Sequence, residues 1–363
     1  MLPQSERSDH RQQAGSGLTM LLKKKLCIGA LFGGVLFFMI ASHTIQKNSL
    51  EMDTAVHSST MTQTKTVTEI NHHRSCSCST CIRDPGVSEW FDQRFNYKQQ
   101  PYLTGEENQI DPVSLKWWRS LQSSSNVSIN EIIQKMFTVI SRPEKKRHQS
   151  NQCQKCAVVG NSGNLLQSKY GALIDSHSVV FRMNKAVTWG FEQYVGNKTT
   201  HHIMYPESAV DLAPGVHLVL LPFKSRDLEW VASALSTGEI KKTYMRVKDL
   251  VQADKDKVIV VNPSFFKYTH ERWTELHGRY PSTGMLAIVF ALHLCDEVSV
   301  FGYGADTQGN WHHYWEDNKY AGAFRKTGVH SADFEHEIIQ KLDAEGKIKL
   351  YSKVESKSPS DVK

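Results

Sequence analysis

The chain lacks any concentrated charge of one sign. Its 363 residues hold 43 Lys and Arg against 37 Asp and Glu, a formal net charge of +6 at pH 7, and the excess is scattered. A nucleic-acid surface needs a clustered basic stripe, so no nucleic-acid partner is expected. The mild excess suits an anionic sugar nucleotide without requiring one. Three common signatures are missing too: G-x-x-x-x-G-K-S/T, G-x-G-x-x-G and G-x-S-x-G. Their absence argues against phosphate-loop NTPases, dinucleotide-dependent oxidoreductases and α/β-hydrolases. No internal repeat is visible, so a solenoid is not expected. Long apolar runs are scarce. The main uncharged one, Leu26–Ala41, falls short of the about 20 residues that span a typical bilayer.

That run nevertheless reads as a membrane anchor. Lys23, Lys24 and Lys25 precede it, and Leu21, Leu22 or Ser42 can extend it across a thin membrane. A cleaved signal peptide is the alternative. Against cleavage, bulky Phe37, Phe38, Met39 and Ile40 crowd the end of the run, and Ala41-Ser42-His43 is a weak small-residue site. The lysines before the span leave the N-terminus in the cytosol and the rest in the lumen. The expected organisation is a cytoplasmic tail (1–25), a signal-anchor helix (26–42), a flexible stem (43–75), a luminal domain (76–352) and a polar tail (353–363). The stem is rich in Ser, Thr, Gln and His and has too few large apolar groups to order itself.

Cysteine usage is consistent with a lumen. Cys27 lies in the apolar run, and six others stand at 76, 78, 81, 153, 156 and 295. An even number behind a signal anchor reads as disulfides, although C-x-C-x-x-C and C-x-x-C are also zinc spacings. Six cysteines allow fifteen pairings, and spacing does not choose among them. Asn126 and Asn197 open N-x-S/T triplets that fit a luminal surface.

Trp117-Trp118 and Ile129–Ile140 predict two amphipathic helices. Beyond them, short apolar runs alternate with helical patterns. Strands are predicted at Ala157–Val159, Ser178–Phe181, His217–Leu221, Lys257–Val261, Glu297–Phe301 and Ile348–Tyr351. Helices are predicted at Leu228–Ser236, Phe265–His277, Thr283–His293 and Ser331–Asp343. The fold class is therefore α/β: a single domain with a Rossmann-like, largely parallel sheet covered by helices on both faces.

Four clusters carry candidate chemistry. Gly160-Asn161-Ser162-Gly163 follows the first strand, and a second run ends in Arg182-Met183-Asn184. A small polar turn there lets a ligand approach the backbone, and Asn161, Ser162 and Asn184 offer short hydrogen-bonding groups. The bland alternative is a tight connection with no ligand. In Gly278–Gly284, Ser282 or Thr283 either caps the next helix or joins an anion site at its N-terminus, and both roles can hold together. Phe301-Gly302-Tyr303-Gly304-Ala305-Asp306 puts glycines at the carboxyl end of a strand, where open α/β sheets bind ligands. The fourth is the aromatic and histidine segment Asn310–Glu316, followed by Gly328-Val329-His330. A histidine near neutral pH can take a proton or donate to a phosphate. Asp254-Lys255-Asp256 has the form of a divalent-ion motif but reads better as a solvated turn, and His201-His202 reads as structural. No catalytic metal is expected.

In order and spacing these clusters resemble the sialyl motifs of the animal-type sialyltransferases. The long motif corresponds to Cys156–Glu207, the short to Tyr280–Asp306, the third to His312–Glu316 and the very short to His330–Glu335. Within that family TTHHIMYPES, GRYPSTGM, GNWHHYWE and AFRKTGVH are similar to the β-galactoside α-2,3-sialyltransferases of types one and two, which act on Galβ1-3GalNAc. The resemblance implies a variant GT-A-type fold. It implies inverting, metal-independent and cofactor-free transfer of sialic acid from CMP-sialic acid to a galactose 3-hydroxyl, on an O-glycan or glycolipid at the Golgi membrane. It makes His330 the general base and puts His313 on the CMP phosphate. Asn161, Ser162, Asn184, Ser282, Thr283, Gly284 and Gly304 would contact CMP, with Tyr205 and Tyr244 near phosphate and sugar. Gln122 and Tyr280 would hold the acceptor galactose. It also selects the pairings Cys76–Cys81, Cys78–Cys153 and Cys156–Cys295. Rival expectations are a sister activity on Galβ1-4GlcNAc or glycolipids, and a non-catalytic glycan-binding relative. Two residues depart from the family pattern: Ser331 stands where an Asp is usual, though Ser can still cap the helix, and Trp189 replaces a small residue near the donor.

Overall fold

The computed structural model describes residues 76–122, 127–143, 152–305, 312–317 and 328–352. The expected anchor, the stem, the C-terminal tail, Asn126 and the 306–311 part of the third and fourth clusters lie outside these residues. Among the described residues no helix is long and apolar enough to cross a membrane.

Seven strands form one sheet: β1 Lys155–Val159, β2 Val179–Met183, β3 His201–Met204, β4 His217–Leu220, β5 Val258–Val260, β6 Glu297–Phe301 and β7 Lys349–Tyr351. The order is β5-β4-β3-β2-β1-β6-β7, and every pairing is parallel. From β1 the chain winds outward through β2 to β5, then returns to lay β6 on the other side of β1. The gap between the carboxyl ends of β1 and β6 is thus the topological switch point, where this class of sheet opens a crevice.

Most strand residues are buried on both faces, as their near-continuous apolar runs require. On one face Cys156, Val158, Phe181 and Val219 meet Phe265, Phe290 and Ile338. On the other, Ala157, Val159 and Val180 meet Leu165, Ile174 and Tyr314, while Leu218, Leu220 and Val260 meet Ile132, Trp230 and Val231.

The helices are α1 Glu89–Asp92, α2 Pro112–Ser120, α3 Ile129–Met136, α4 Gly171–Asp175, α5 Glu192–Val195, α6 Ser225–Ala234, α7 Pro263–Arg272, α8 Thr283–Leu294 and α9 Ala332–Ala344. Several begin on caps legible in the sequence. Asp111 and Asn262 each precede a proline at the first helical position and accept an amide from Ser114 and Ser264, both at 2.8 Å. The α8 sequence is apolar all round and is buried all round, from Met285 to His293.

Sequence and structure differ in several respects: the expected Ile129–Ile140 helix ends at Met136, and the expected Leu228–Ser236 helix spans Ser225–Ala234. Strand β3 was not expected, because His201-His202 disguises it, yet His202, Ile203 and Met204 are all buried. Helix α7 stops at Arg272 rather than running to His277, because Glu275 and Leu276 adopt φ of 46° and 63° and turn the chain left-handed. The segment after the Gly160 turn opens as a single 3-10 turn, Gly163–Gln167, before α4.

The disulfides are Cys76–Cys81, Cys78–Cys153 and Cys156–Cys295, the pairing that the resemblance selects. The last joins the start of β1 to the end of α8. Its 139-residue separation makes it the strongest restraint on the unfolded chain. Replacing both cysteines with alanine should lower unfolding stability by about 2–5 kcal/mol, measured by denaturant titration.

Candidate active site

The site is built on the close approach of β1 and β6. Gly160 donates its amide to Phe301 O at 2.7 Å, and Ser162 N reaches Gly302 O at 3.1 Å. A Cβ on Gly160 would lie 2.3 Å from Gly302 O, and one on Gly284 would lie 2.9 Å from Tyr303 Cε1. Tyr303 therefore wedges between the first and second clusters, its hydroxyl donating to Gly284 O at 3.1 Å. This corrects the expected reason for the small residue at Gly160: it makes room for Gly302 and Tyr303, not for a ligand. Gly304 is left-handed, with φ of 91°, and the His336 ring lies against it.

Asn161 and Asn184 come together across the ends of β1 and β2. Asn161 Nδ2 donates to Met183 O at 3.1 Å. Asn184 sits at φ 58°, with its amide on Ile203 O at 2.9 Å and its carbonyl accepting from the His202 ring at 2.6 Å. His202 is thus structural, as expected, but what it supports is a site residue. The side-chain oxygens Asn161 Oδ1 and Asn184 Oδ1 are both buried without a hydrogen-bond partner. Unsatisfied buried acceptors are rare, and here they offer acceptors suited to ribose hydroxyls or a base amino group.

The third motif folds onto this cradle. His313 bridges to Ser162, Tyr314 N donates to Asn161 O at 3.0 Å, and Gly163 N to His312 O at 2.8 Å. The His313 ring stacks on Trp315 at 4.5 Å, and Glu316 accepts from its Nδ1 at 3.0 Å. With Nδ1 so engaged, Nε2 is the ring nitrogen left to face a ligand.

His330 lies across the site on the approach to α9. Its Nδ1 donates to Tyr280 O at 2.8 Å, a bond that fixes the tautomer and leaves the Nε2 lone pair in the neutral ring. Burial pulls its pKa below the ordinary histidine value, although the bond to Tyr280 works the other way. The ring packs edge-on against Tyr280 at 5.0 Å; Tyr280 and Tyr205 both pack on Phe223. Burial raises both tyrosines. Arg279 N donates to Val329 O at 2.7 Å. Gly278, at φ 75°, passes so close that a Cβ would meet Val329 O at 2.9 Å and His330 Cα at 3.1 Å.

Glu335 joins the two halves. Its buried carboxylate accepts from Ser282 N at 2.8 Å and from Ser282 Oγ, and burial pushes it up to about 7 against those bonds. Ser282 also caps α8 by accepting from Met285 N at 3.1 Å. Its amide and hydroxyl are thus already engaged, so the first free-turn amides for a ligand fall to Thr283 and Gly284. Ser331 stands before α9 but makes no side-chain cap bond, contrary to the expectation that it caps the helix.

Other expected residues lie at the rim. Gln122 is engaged at both ends: Nε2 donates to Trp118 O at 3.1 Å, and Oε1 accepts from Ser225 N at 2.7 Å. Tyr244 is 78% exposed, with its amide on Glu207 Oε1 at 3.2 Å. Trp189 is exposed in the loop that follows Asn184, and Asn197 is exposed too. Asp254-Lys255-Asp256 forms a 3-10 turn closed by Asp256 N on Asp254 Oδ1, at the amino end of β5, away from the crevice. Among the described residues the clusters with metal-ligand geometry are built on Cys76, Cys78 and Cys153, whose sulfurs are all in disulfides.

A parallel α/β sheet with Asn161 and Asn184 at its switch point, and with His313 and His330 on the segments around it, is the layout expected of a nucleotide-using transferase. The profile of glycosyltransferase family 29 (sialyltransferase) matches residues 102–347, and the chain belongs to that family. It is 54% identical over 280 residues to CMP-N-acetylneuraminate-beta-galactosamide-alpha-2,3-sialyltransferase 2 of Rattus norvegicus, covering 77% of this chain and 80% of the relative. It is 52% identical over 281 residues to the corresponding sialyltransferase 1 of Gallus gallus, covering 77% and 82%. The fold is similar to the crystal structure of a mammalian sialyltransferase at 46% identity and a TM-score of 0.72, over 78% of this chain and 100% of the other. It is equally similar to a mammalian sialyltransferase in complex with Gal-beta-1-3GalNAc-ortho-nitrophenol, at 46% identity and a TM-score of 0.71, over 77% and 100%.

Gly278 had no role of its own at the sequence level; the signal was there in the glycine before Arg279-Tyr280. Gly278→Ala should displace the His330 backbone and lower kcat by about 10- to 100-fold. An unfolding midpoint measured alongside checks that the fold survives.

Proposed function

We propose that the chain transfers sialic acid from CMP-sialic acid to the 3-hydroxyl of terminal galactose in Galβ1-3GalNAc glycans. The observation that carries the reading is His330: a half-buried ring with Nδ1 committed to Tyr280 O and a depressed pKa, which stays neutral, and so able to accept a proton, near pH 7. The acceptor preference is supported by the names of the relatives and by the disaccharide held in the similar solved complex.

The acceptor hydroxyl is a weak nucleophile, and His330 Nε2 takes its proton as the new bond forms. Breaking the sialyl–phosphate bond builds oxocarbenium character, as in other glycosyl transfers. The phosphate is already a good leaving group and needs its growing charge stabilised more than protonated. His313 in its imidazolium form, with Nδ1–H held by Glu316, donates Nε2–H to that charge. One base and one phosphate partner on opposite faces suffice to invert the anomeric centre without a metal. Asn161, Asn184, Thr283, Gly284 and Gly304 form the nucleotide cradle, Tyr205 and Tyr244 flank the phosphate and sugar, and Tyr280 with Gln122 faces the galactose. Gln122 would exchange one of its internal bonds on acceptor binding. The domain spans 76–352 in a Golgi lumen, behind an anchor at 26–42 and a stem at 43–75.

The full chain in detergent should transfer sialic acid to Galβ1-3GalNAc with EDTA present. No transfer to any galactoside would overturn the enzyme reading, and faster transfer to Galβ1-4GlcNAc would reassign the acceptor. His330→Ala should lower kcat by about 100-fold or more, the weight of one general base. The acid limb of kcat/KM should rise with pH at an apparent pKa below the ordinary histidine value of about 6.5, because the base works only when deprotonated. A limb at or above that value would exclude His330 as the group.

A further inference from the structure

One ionic cluster beside the site, buried at Asp227 and half-buried at Lys224 and Glu207, has no part in the chemistry above. Lys224 Nζ lies 2.7 Å from Asp227 Oδ1 and 3.0 Å from Glu207 Oε1. The same Glu207 oxygen accepts from Thr243 Oγ1 and, at 3.2 Å, from Tyr244 N. Asp227 Oδ2 accepts from Phe223 N at 2.9 Å and Lys224 N at 3.1 Å. Ser225, the next residue, holds Gln122 Oε1. One lysine and two carboxylates therefore tie together the turn after β3 that carries Tyr205, the turn after β4 that carries Phe223, the start of α6, and the Lys242–Arg246 turn that carries Tyr244.

Stability alone does not account for such a cluster. Asp227 is fully buried, and burying paired charges is often no better than packing apolar groups in their place. Burial opposes the charge on Lys224, yet Asp227 and Glu207 together hold its pKa above the ordinary value. The gain is in geometry. Tyr244 is too exposed for packing to fix it, so its place depends on the bonds that its amide and Thr243 give to Glu207. Glu207 in turn is held by Lys224.

We propose that Glu207 and Lys224 are positioning residues for the donor: they hold the turn that carries Tyr244 to the turns that carry Tyr205 and Phe223 before CMP-sialic acid binds. The proposal rests on the assignment of Tyr205 and Tyr244 to the donor's phosphate and sugar. Neither Glu207 nor Lys224 need touch the substrate. Their loss should therefore appear in donor affinity and leave the His330 chemistry intact.

The test is steady-state kinetics on the full chain with varied CMP-sialic acid. Glu207→Gln keeps the shape and removes the charge. Thr243→Val removes one tie to the turn without touching the ion pairs. Each should raise the donor KM about five- to tenfold, the scale of one charge-assisted hydrogen bond. The kcat should stay within about twofold, and acceptor KM and the acid limb should not move. Lys224→Arg should keep the low donor KM, whereas Lys224→Met should raise it. An unchanged donor KM in both Glu207→Gln and Thr243→Val overturns the proposal, as does a rise matched by an equal fraction of unfolded protein. If the unmodified chain transfers nothing, the proposed function fails separately. Calorimetric CMP affinity then decides: weaker binding in the two variants supports the positioning role, and equal binding overturns it.

Discussion

The site depends on how closely two backbones approach at the carboxyl ends of β1 and β6. Gly160 and Gly302 touch there without side chains. A Cβ on Gly302 would come within 2.5 Å of Leu165 Cδ1, just as one on Gly160 would strike Gly302 O. That contact lets Ser162 and Asn164 bond to the strand opposite, Asn164 Nδ2 reaching Tyr303 O at 2.8 Å. It also aims Tyr303 at Gly284. The switch point is thereby closed on itself, and a ligand must lie over its rim, where Asn161 and Asn184 keep unsatisfied oxygens. At the other end of the same unit Cys156–Cys295 ties β1 to α8. The proposed nucleotide cradle therefore rests on a strand pair and a helix that cannot shift independently.

His330 belongs to a different element and is brought to this unit by two routes. One is the backbone contact of Gly278 and Arg279 with Val329. The other is Glu335, which holds the amide and hydroxyl of Ser282. Both routes end within the segment 278–282, whose Tyr280 carbonyl also fixes the tautomer of His330. The proposed base and the helix end proposed to face the nucleotide are thus referenced to one short stretch of chain, which is how residues nearly fifty positions apart hold a common geometry.

Much of this was legible because local chemistry repeats the global fold. Apolar runs of strand length, glycines after β1 and β6, and Ser282 before an apolar helix each carry their own signal. Strand β3 was missed because two histidines opened it, and periodicity cannot see that His202 is buried to hold Asn184. The reach of Phe265–His277 was overestimated because nothing in Glu275-Leu276 advertises a left-handed turn. Resemblance put Gln122, Ser282 and Tyr244 at the site, but it could not give their present partners, Ser225, Glu335 and Glu207. The Glu207–Lys224–Asp227–Thr243 cluster was invisible for a plainer reason. Its members are scattered over three turns and the first turn of α6, and only the folded sheet makes them neighbours.

A buried carboxyl, Glu335, and a half-buried ring, His330, make the segment around Tyr280 and Ser282 sensitive to pH in opposite senses. Glu335 has a folded value of about 7, above the about 4.3 of an unfolded glutamate. Its contribution to stability is fully present below the unfolded value and is lost as pH rises through the folded one. His330 has the opposite sign. Its folded value is depressed, so its contribution is present above the unfolded value and is lost as pH falls through the folded one. The first group resists alkaline conditions poorly and the second resists acid poorly, yet both anchor the same few residues. Between the lowered value of His330 and the unfolded histidine value of about 6.5 the two dependences oppose each other: Glu335 loses stability as pH rises while the histidine regains it. Above that only the loss from Glu335 remains, up to its folded value of about 7. Burial moves the carboxylic acid upward and the histidine downward, so the segment's stability changes little over the acid range in which His330, the proposed base, gives up its proton.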